Sequence, residues 1–367
     1  MYVHQGLQDI FYLMLYGGAA MLAMAACCYL LLGRGNAFWP AIRPPRELRF
    51  WGAAFLASVA LSHVWWVVLG IHWLADDKVL RNAVAEVLDT VTLVALMMAF
   101  LTRMLQDHHR PLWPIIVAIA PIVAISIIGV VMRTPLAEKV MRGWVLFVAF
   151  AFIIYLVGAV RQYGRWLHQN YADLEHKEVW QSLLFLVCIL LMYMTYNLNY
   201  GSIAMEYLTQ VCTLVIIVFI LWRVESLQKL ETDEVAHPTT EVATDASSAT
   251  ALPQNIGILL KQHCEDEQLY LQHGLTLAQL SLAVGTNRTY LSTYFAQQGI
   301  TYNNYINQLR IQHFISLFRE ATAASRHVTA LELAQQCGYH SYSTFSTAFK
   351  QFVGLTPKAW LKQEGMN

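Results

Sequence analysis

Long apolar stretches constrain this chain more than any other feature. They occupy residues 7–32, 50–74, 83–105, 112–132, 143–160, 180–199 and 207–222, and several reach the ~20 residues that a helix needs to cross a hydrocarbon core. A backbone in lipid has no water to pair with, so segments of this kind are expected to be helices, seven in all. Trp51, Trp73, Trp113, Trp144, Trp180 and Trp222 stand near their ends, where aromatic rings favour the membrane interface. Hydrophobic residues make up 57% of the chain and charged residues 13%, against a usual charged share of about one in four. The excess lies before Glu225, and the chain from there to its end is ordinary polar globular sequence. A wholly soluble protein, a disordered chain and a disulfide scaffold are all excluded.

Basic residues suggest an orientation. Ten (Arg34, Arg43, Arg46, Arg49, Arg103, Arg110, Arg161, Arg165, Lys177 and Arg223) fall on one side of the seven-span plan and five (Lys78, Arg81, Arg133, Lys139 and Arg142) on the other. The positive-inside tendency puts the N-terminus outside and the C-terminal part in the cytoplasm, as expected for a multi-pass protein of the inner, cytoplasmic membrane. No Lys or Arg precedes the first span, and it is too long for a secretory signal core, so it is read as a membrane helix. The six cysteines show no metal-ligand spacing and are read as reduced packing residues.

The expected organisation is a seven-span domain at 1–224, a helix end and flexible acidic linker at 225–253, and a second domain at 254–367. Residues 223–235 would prolong the last span as a polar helix, with Val224, Leu227 and Leu230 placed either to meet a second copy or to end in solvent. Residues 236–253, rich in Thr, Ala and Ser and bounded by prolines, cannot bury enough apolar surface to fold and are read as a tether.

Beyond the tether one plan occurs twice, at 275–298 and 328–352. In each copy an apolar residue is followed five positions later by a glycine (Leu280 and Gly285; Leu333 and Gly338), and a second amphipathic helix begins just beyond. This is the plan of a helix-turn-helix, in which the glycine permits the tight turn and the second helix can enter a major groove. Asn287 and Ser341 are expected to cap the two second helices. A helix over 302–320 joins the copies, and the tail runs through Gly354, Thr356 and Pro357 to Trp360.

With Leu280, Gly285, Leu291, Leu333, Ala334, Gly338, Tyr339, Ser341, Phe345, Phe349, Lys350, Gly354, Pro357 and Trp360 in these places, residues 256–362 resemble the DNA-binding domain of the AraC/XylS family of transcription regulators. The resemblance implies two small helical lobes on a connecting helix, each presenting a recognition helix to the major groove of promoter DNA. Carried over by position, Arg288, Thr289, Ser292 and Thr293 would face DNA from the first lobe, and Tyr342, Ser343, Ser346, Thr347 and Lys350 from the second. It further implies a sensing or dimerising module, homodimers and contact with RNA polymerase. The chain departs from the family pattern at Thr347 and Leu361, where Arg is common, and at Phe314 and Ser281, where Ala is usual. From Gln254 onward eight basic residues face six acidic ones, a modest electrostatic footprint for DNA. Arg310 is open to a structural role, holding the connecting helix to a lobe.

Sensing would fall to the apolar domain, with an ion, a small molecule or a protein as signal. Ionisable groups at membrane depth are costly and often functional, which singles out His63, Glu86, Asp89 and Asn197. Glu86 and Asp89, three apart on one helix face, are open to sharing a proton or to plain solvation. The chain has no phosphate-cradling glycine loop, zinc-protease pattern or partnered serine nucleophile. The expected whole is therefore an all-α, membrane-anchored, non-enzymatic transcription regulator without a cofactor or metal. The competing expectations are a transporter or receptor bundle with an accessory DNA- or protein-binding domain, and a scaffold.

Overall fold

A computed structural model describes residues 10–33, 35–40, 42–69, 77–132, 135–185, 187–189, 203–230 and 256–364. They divide into two compact units, one of Met1–Tyr163 with Val179–Thr232 and one of Gly164–Glu178 with Asp233–Asn367. Helices account for nearly all regular structure, and no strand occurs among the described residues.

In the first unit α1 (Ile10–Leu32) and α2 (Arg46–Val68) are followed by α3 (Lys78–Asp89), which passes through a π-helical turn (Thr90–Val94) into α4 (Ala95–Arg103). Next come α5 (Trp113–Met132), α6 (Pro135–Asn170, which ends in the second unit) and α7 (Ile203–Ser226). Among the described residues six helical segments are long and apolar enough to cross a membrane. The expected sixth span, 180–199, lies largely outside the described residues, as does Asn197; its described part belongs to a shorter apolar helix, Trp180–Ile189. Large apolar side chains face outward along the spans, among them Ile116, Ile127, Val131, Phe147 and Ile154. Such a surface suits hydrocarbon and is costly in water.

Small residues let these helices approach one another. Ala19, Ala23 and Ala26 of α1 and Ala53 and Ala60 of α2 are buried, and a methyl group added at Gly52 would lie 2.9 Å from Val224 Cγ2 and 3.3 Å from Leu30 Cδ1. Close backbone approach of this kind is how membrane helices gain packing energy without a hydrophobic drive between them.

A polar seal forms at the end of α7. Glu225, fully buried, lies 3.3 Å from Arg49 Nε, an ion pair whose alignment is too poor for a hydrogen bond. Tyr29 donates to its carboxylate, and Asn36 donates to its backbone carbonyl. The expected polar extension of α7 is absent: the helix stops at Ser226. Leu227 and Leu230 are instead buried, the Lys229 N–H bonds the Arg43 carbonyl, and Gln106 takes both the Gln228 carbonyl and the Leu230 N–H. Burial of the two leucines and these competing backbone bonds end the helix, so Val224, Leu227 and Leu230 offer no stripe to a second copy. Residues 231–255, which include the whole expected tether at 236–253, lie outside the described residues.

In the second unit a short helix α8 (Ile256–Leu260) leads through a π-helical turn to α9 (Leu277–Ala283), α10 (Arg288–Gln297), α11 (Tyr302–Ala323), α12 (Ala330–Gln336), α13 (Tyr342–Val353) and α14 (Pro357–Glu364). Five of the seven starts are written in the sequence: Thr276 and Thr329 form reciprocal capping boxes with Gln279 and Glu332, and Asn287, Thr301 and Ser341 cap α10, α11 and α13. Two apolar clusters result. The first gathers Leu277, Leu280, Leu291 and Phe295 with Tyr302 and Ile306 of α11, and the second gathers Leu333, Phe345, Phe349 and Trp360 with Ile311 and Phe314 of the same helix.

Gly52→Ala in α2 is expected to destabilise the first unit by about 1–3 kcal/mol through overpacking, whereas Gly17→Ala in α1, with nothing within 4 Å of the added methyl, leaves it unchanged. Thermal melting of the purified protein in detergent checks the contrast.

Candidate nucleic-acid interface

The two helix-turn-helix units are α9–α10 and α12–α13. Gly285 (φ +71°) and Gly338 (φ +86°) occupy the left-handed turn positions. Gly285 needs glycine for its backbone conformation alone, since nothing lies near an added Cβ. Gly338 needs it twice, because a Cβ there would stand 2.5 Å from the Leu271 carbonyl oxygen and 3.2 Å from Arg310 Cζ. Leu280, Leu291, Ala334, Tyr339, Phe345 and Phe349 are buried at the lobe centres, as is Pro357 at the start of α14. Gly354 (φ +82°) ends α13 in the left-handed conformation.

Residues that depart from the family pattern find partners inside the fold. Phe314 is fully buried with its ring 4.5 Å from Phe345. Ser281 is buried, and its hydroxyl donates to the Ala278 carbonyl.

Arg310 joins the lobes. It is fully buried in α11, donates from Nε to the Tyr270 carbonyl and from Nη2 to the Gln272 carbonyl at 2.7 Å each, and lies 5.4 Å from the Tyr339 ring. Burial pulls its pKa below the ordinary arginine value, an effect opposed by Tyr339, Tyr302 and Asp173. The connecting helix thus carries one cation that engages backbone from the first lobe and an aromatic ring from the second.

On α10 the expected contact residues Thr289 and Thr293 are exposed, and Arg288 and Ser292 half-buried; on α13 Tyr342, Ser343, Thr347 and Lys350 are exposed and Ser346 half-buried. Each set therefore sits on one recognition helix. Thr293 and Thr347 donate to the carbonyls of Thr289 and Ser343 one turn back, which occupies their protons but leaves the oxygens able to accept.

Sequence reasoning missed a third component. Residues 164–178 fold with this domain: Ala172 belongs to the first-lobe core, and Tyr171 forms an isolated antiparallel bridge with Thr276. Asn303 donates to the carbonyls of Tyr171 and Ala172, and Asn307 also donates to Ala172. Asn170 Oδ1 accepts two bonds from Arg288, at 3.0 and 2.7 Å. Glu175 accepts from the hydroxyls of Ser341 and Thr344. Lys177 is buried, and burial lowers its pKa against the opposing charges of Asp173 and Glu175. Burial likewise lowers that of His340, whose ring is 4.8 Å from His273. The bonds of Asn170, Tyr171, Ala172 and Glu175 to the helix-turn-helix units bridge more than a hundred residues, and no local spacing announces them.

A family profile described as "Helix-turn-helix domain" matches residues 280–363. The C-terminal region is an AraC-type helix-turn-helix domain. Curated relatives match the same part of the chain. An uncharacterized HTH-type transcriptional regulator of Staphylococcus aureus (strain MRSA252) is 29% identical over 102 residues, 28% of this chain and 13% of that relative. The HTH-type transcriptional activator RhaR of Enterobacter sp. (strain 638) is 28% identical over 113 residues, 31% of this chain and 33% of the relative. The chain thus spans a third or less of the length of these relatives, and their likeness supports a DNA-binding regulator. No solved structure matches the chain.

The candidate sensing residues lie in the first unit. The Asp89 carboxylate accepts from Ser62, Trp65 and Trp66 of α2 at 2.7–3.1 Å, so it is not simply solvated. His63 donates from Nδ1 to the Val59 carbonyl, since a carbonyl can only accept, and pairs through Nε2 with Gln210 of α7 at 3.0 Å. Tyr16 of α1 donates to the His63 carbonyl. Glu86 is half-buried on α3. Among the described residues no cluster of His, Cys, Asp or Glu is suited to hold a metal.

Gly338→Ala is expected to cost about 3 kcal/mol or more, since strain and a backbone clash add, against about 1–2 kcal/mol for Gly285→Ala, where strain acts alone. Denaturant titration of the two variants, followed by tryptophan fluorescence, gives the comparison.

Proposed function

We propose that this protein is a membrane-anchored, one-component transcription regulator whose C-terminal domain binds promoter DNA under control of the helical bundle. The observation that carries the reading is the presence, in one chain, of two helix-turn-helix units fixed to a common helix through Arg310 and, among the described residues, six helices long and apolar enough to span a membrane. Thr289, Ser292 and Thr293 of α10 and Tyr342, Ser343, Ser346, Thr347 and Lys350 of α13 then meet bases or phosphates, with Arg288 suited to guanine or phosphate. RNA polymerase and a second copy of the chain are further partners in this reading.

Segment 164–178 supports the expected topology. Because it shares a compact unit with the DNA-binding domain, both lie on the same side of the membrane, and an even number of crossings must separate them. Helix α7 supplies one, and the span expected from the sequence at 180–199 supplies the other. By the distribution of basic residues between the two sides, that side is the cytoplasm, where promoter DNA is found.

The polar cluster of Asp89, His63, Gln210 and Tyr16, set among apolar helices, is where a signal acts in this account. It ties α1, α2, α3 and α7 together, so a ligand or proton that altered it would shift their packing.

Mapping of chromosomal DNA bound by the intact protein tests the function. Discrete peaks are expected, with membrane fractionation of the protein, and Thr289→Ala with Tyr342→Ala weakens binding by about thirtyfold or more, since two lost contacts at about 1–3 kcal/mol each sum to at least about 2 kcal/mol. Asp89→Asn keeps the peaks but alters the transcriptional output of a target promoter. Absence of specific peaks from the intact protein, or peaks indifferent to the double substitution, contradicts the reading.

A further inference from the structure

We infer that residues 164–178 and DNA compete for the same surface, so that this segment holds the reading domain shut until it is displaced. The inference rests on the proposed DNA binding and adds its regulation.

The segment touches both recognition helices at the ends that would approach DNA. At the first, Arg288 Nε and Nη2 both donate to Asn170 Oδ1. A guanidinium with these two donors engaged cannot offer that same edge to a guanine or a phosphate. At the second, the Glu175 carboxylate accepts from Ser341, the cap of α13, and from Thr344 one turn into the helix. A helix N-terminus favours a negative group. Glu175 holds the place that suits a DNA phosphate, with hydroxyls that would otherwise be free to bond one.

Between these ends the segment is built in. Ala172 and Asp173 are buried, Asn303 and Asn307 hold its backbone carbonyls, and Tyr171 bridges to Thr276. Three acidic residues (Asp173, Glu175 and Glu178) face two basic ones (Arg165 and Lys177) along it, so its net charge has the sign of a nucleic-acid backbone. Asn170 is the last residue of α6, one helix from Pro135. A displacement along α6 reaches Asn170 directly, without passing through the tether.

While the clamp is closed, apparent DNA affinity falls by the fraction of molecules that are open. The test uses the full-length protein in lipid nanodiscs and a fluorescently labelled random-sequence duplex at low ionic strength. Asn170→Ala, which leaves the net charge unchanged, and Asn170→Ala with Glu175→Gln are expected to tighten binding, the pair on the order of tenfold. In the unsubstituted protein, saturating duplex is expected to speed amide hydrogen exchange across residues 171–177, a readout that does not depend on how any variant folds. Duplex binding that is equal in all three proteins, or that leaves 171–177 as protected as before, overturns the clamp and leaves the DNA-binding reading standing. If none of the three binds the duplex, both readings fall together.

Discussion

The buried guanidinium of Arg310 is the interaction on which the DNA-binding domain depends. Both lobes pack on α11 through separate apolar clusters, and Arg310, between them on that helix, is a side chain that engages both. Arg310 engages the Tyr270 and Gln272 carbonyls at the edge of the first lobe and the Tyr339 ring of the second. A fully buried cation is tolerated only with such partners, and removing them would leave it uncompensated. The same side chain explains why Gly338 is glycine, since a methyl there would crowd Arg310 Cζ as well as the Leu271 carbonyl.

The first unit answers a different solvent. Its helices bury small residues against one another and turn Ile, Val and Phe outward, the reverse of what water would select. Its polar groups include Asp89 with three donors from α2 and the group gathered where the chain leaves α7, Glu225, Arg49, Tyr29 and Asn36. That seal also fixes where α7 ends. A signal that reached the DNA-binding domain through 231–255 would have to start from a segment already pinned down by Gln106 and Arg43.

Much of this was legible in the sequence, for a physical reason. Apolar spans, capping residues and turn glycines act within a few positions of themselves, so Asn287, Ser341, Gly285 and Gly338 could be placed from local pattern, and six of the apolar windows fall on described spans, although α6 runs ten residues beyond the window 143–160. The end of α7 was misread because Leu227 and Leu230 look like the stripe of a continuing helix until the buried surface that captures them is known. The position of Arg310 on the connecting helix suggests a tie but does not reveal its partners. The contacts of Asn170 with Arg288 and of Glu175 with Ser341 were invisible. Each joins residues more than a hundred apart, and residues 164–178 carried no sign beyond the basic residues used for orientation.

The central claim is that α10 and α13 form one reader of fixed spacing, and a distance between them tests it most directly. Spin labels at Thr289→Cys and Ser343→Cys, with Cys27, Cys28, Cys188 and Cys212 replaced, report it by pulsed electron resonance. Burial, which pushes the Cys264 and Cys337 thiols up to about 12, keeps those two unlabelled. The account predicts a single narrow distance distribution that broadens in Arg310→Met. A distribution already broad with Arg310 in place, or one that Arg310→Met leaves equally narrow, would contradict it.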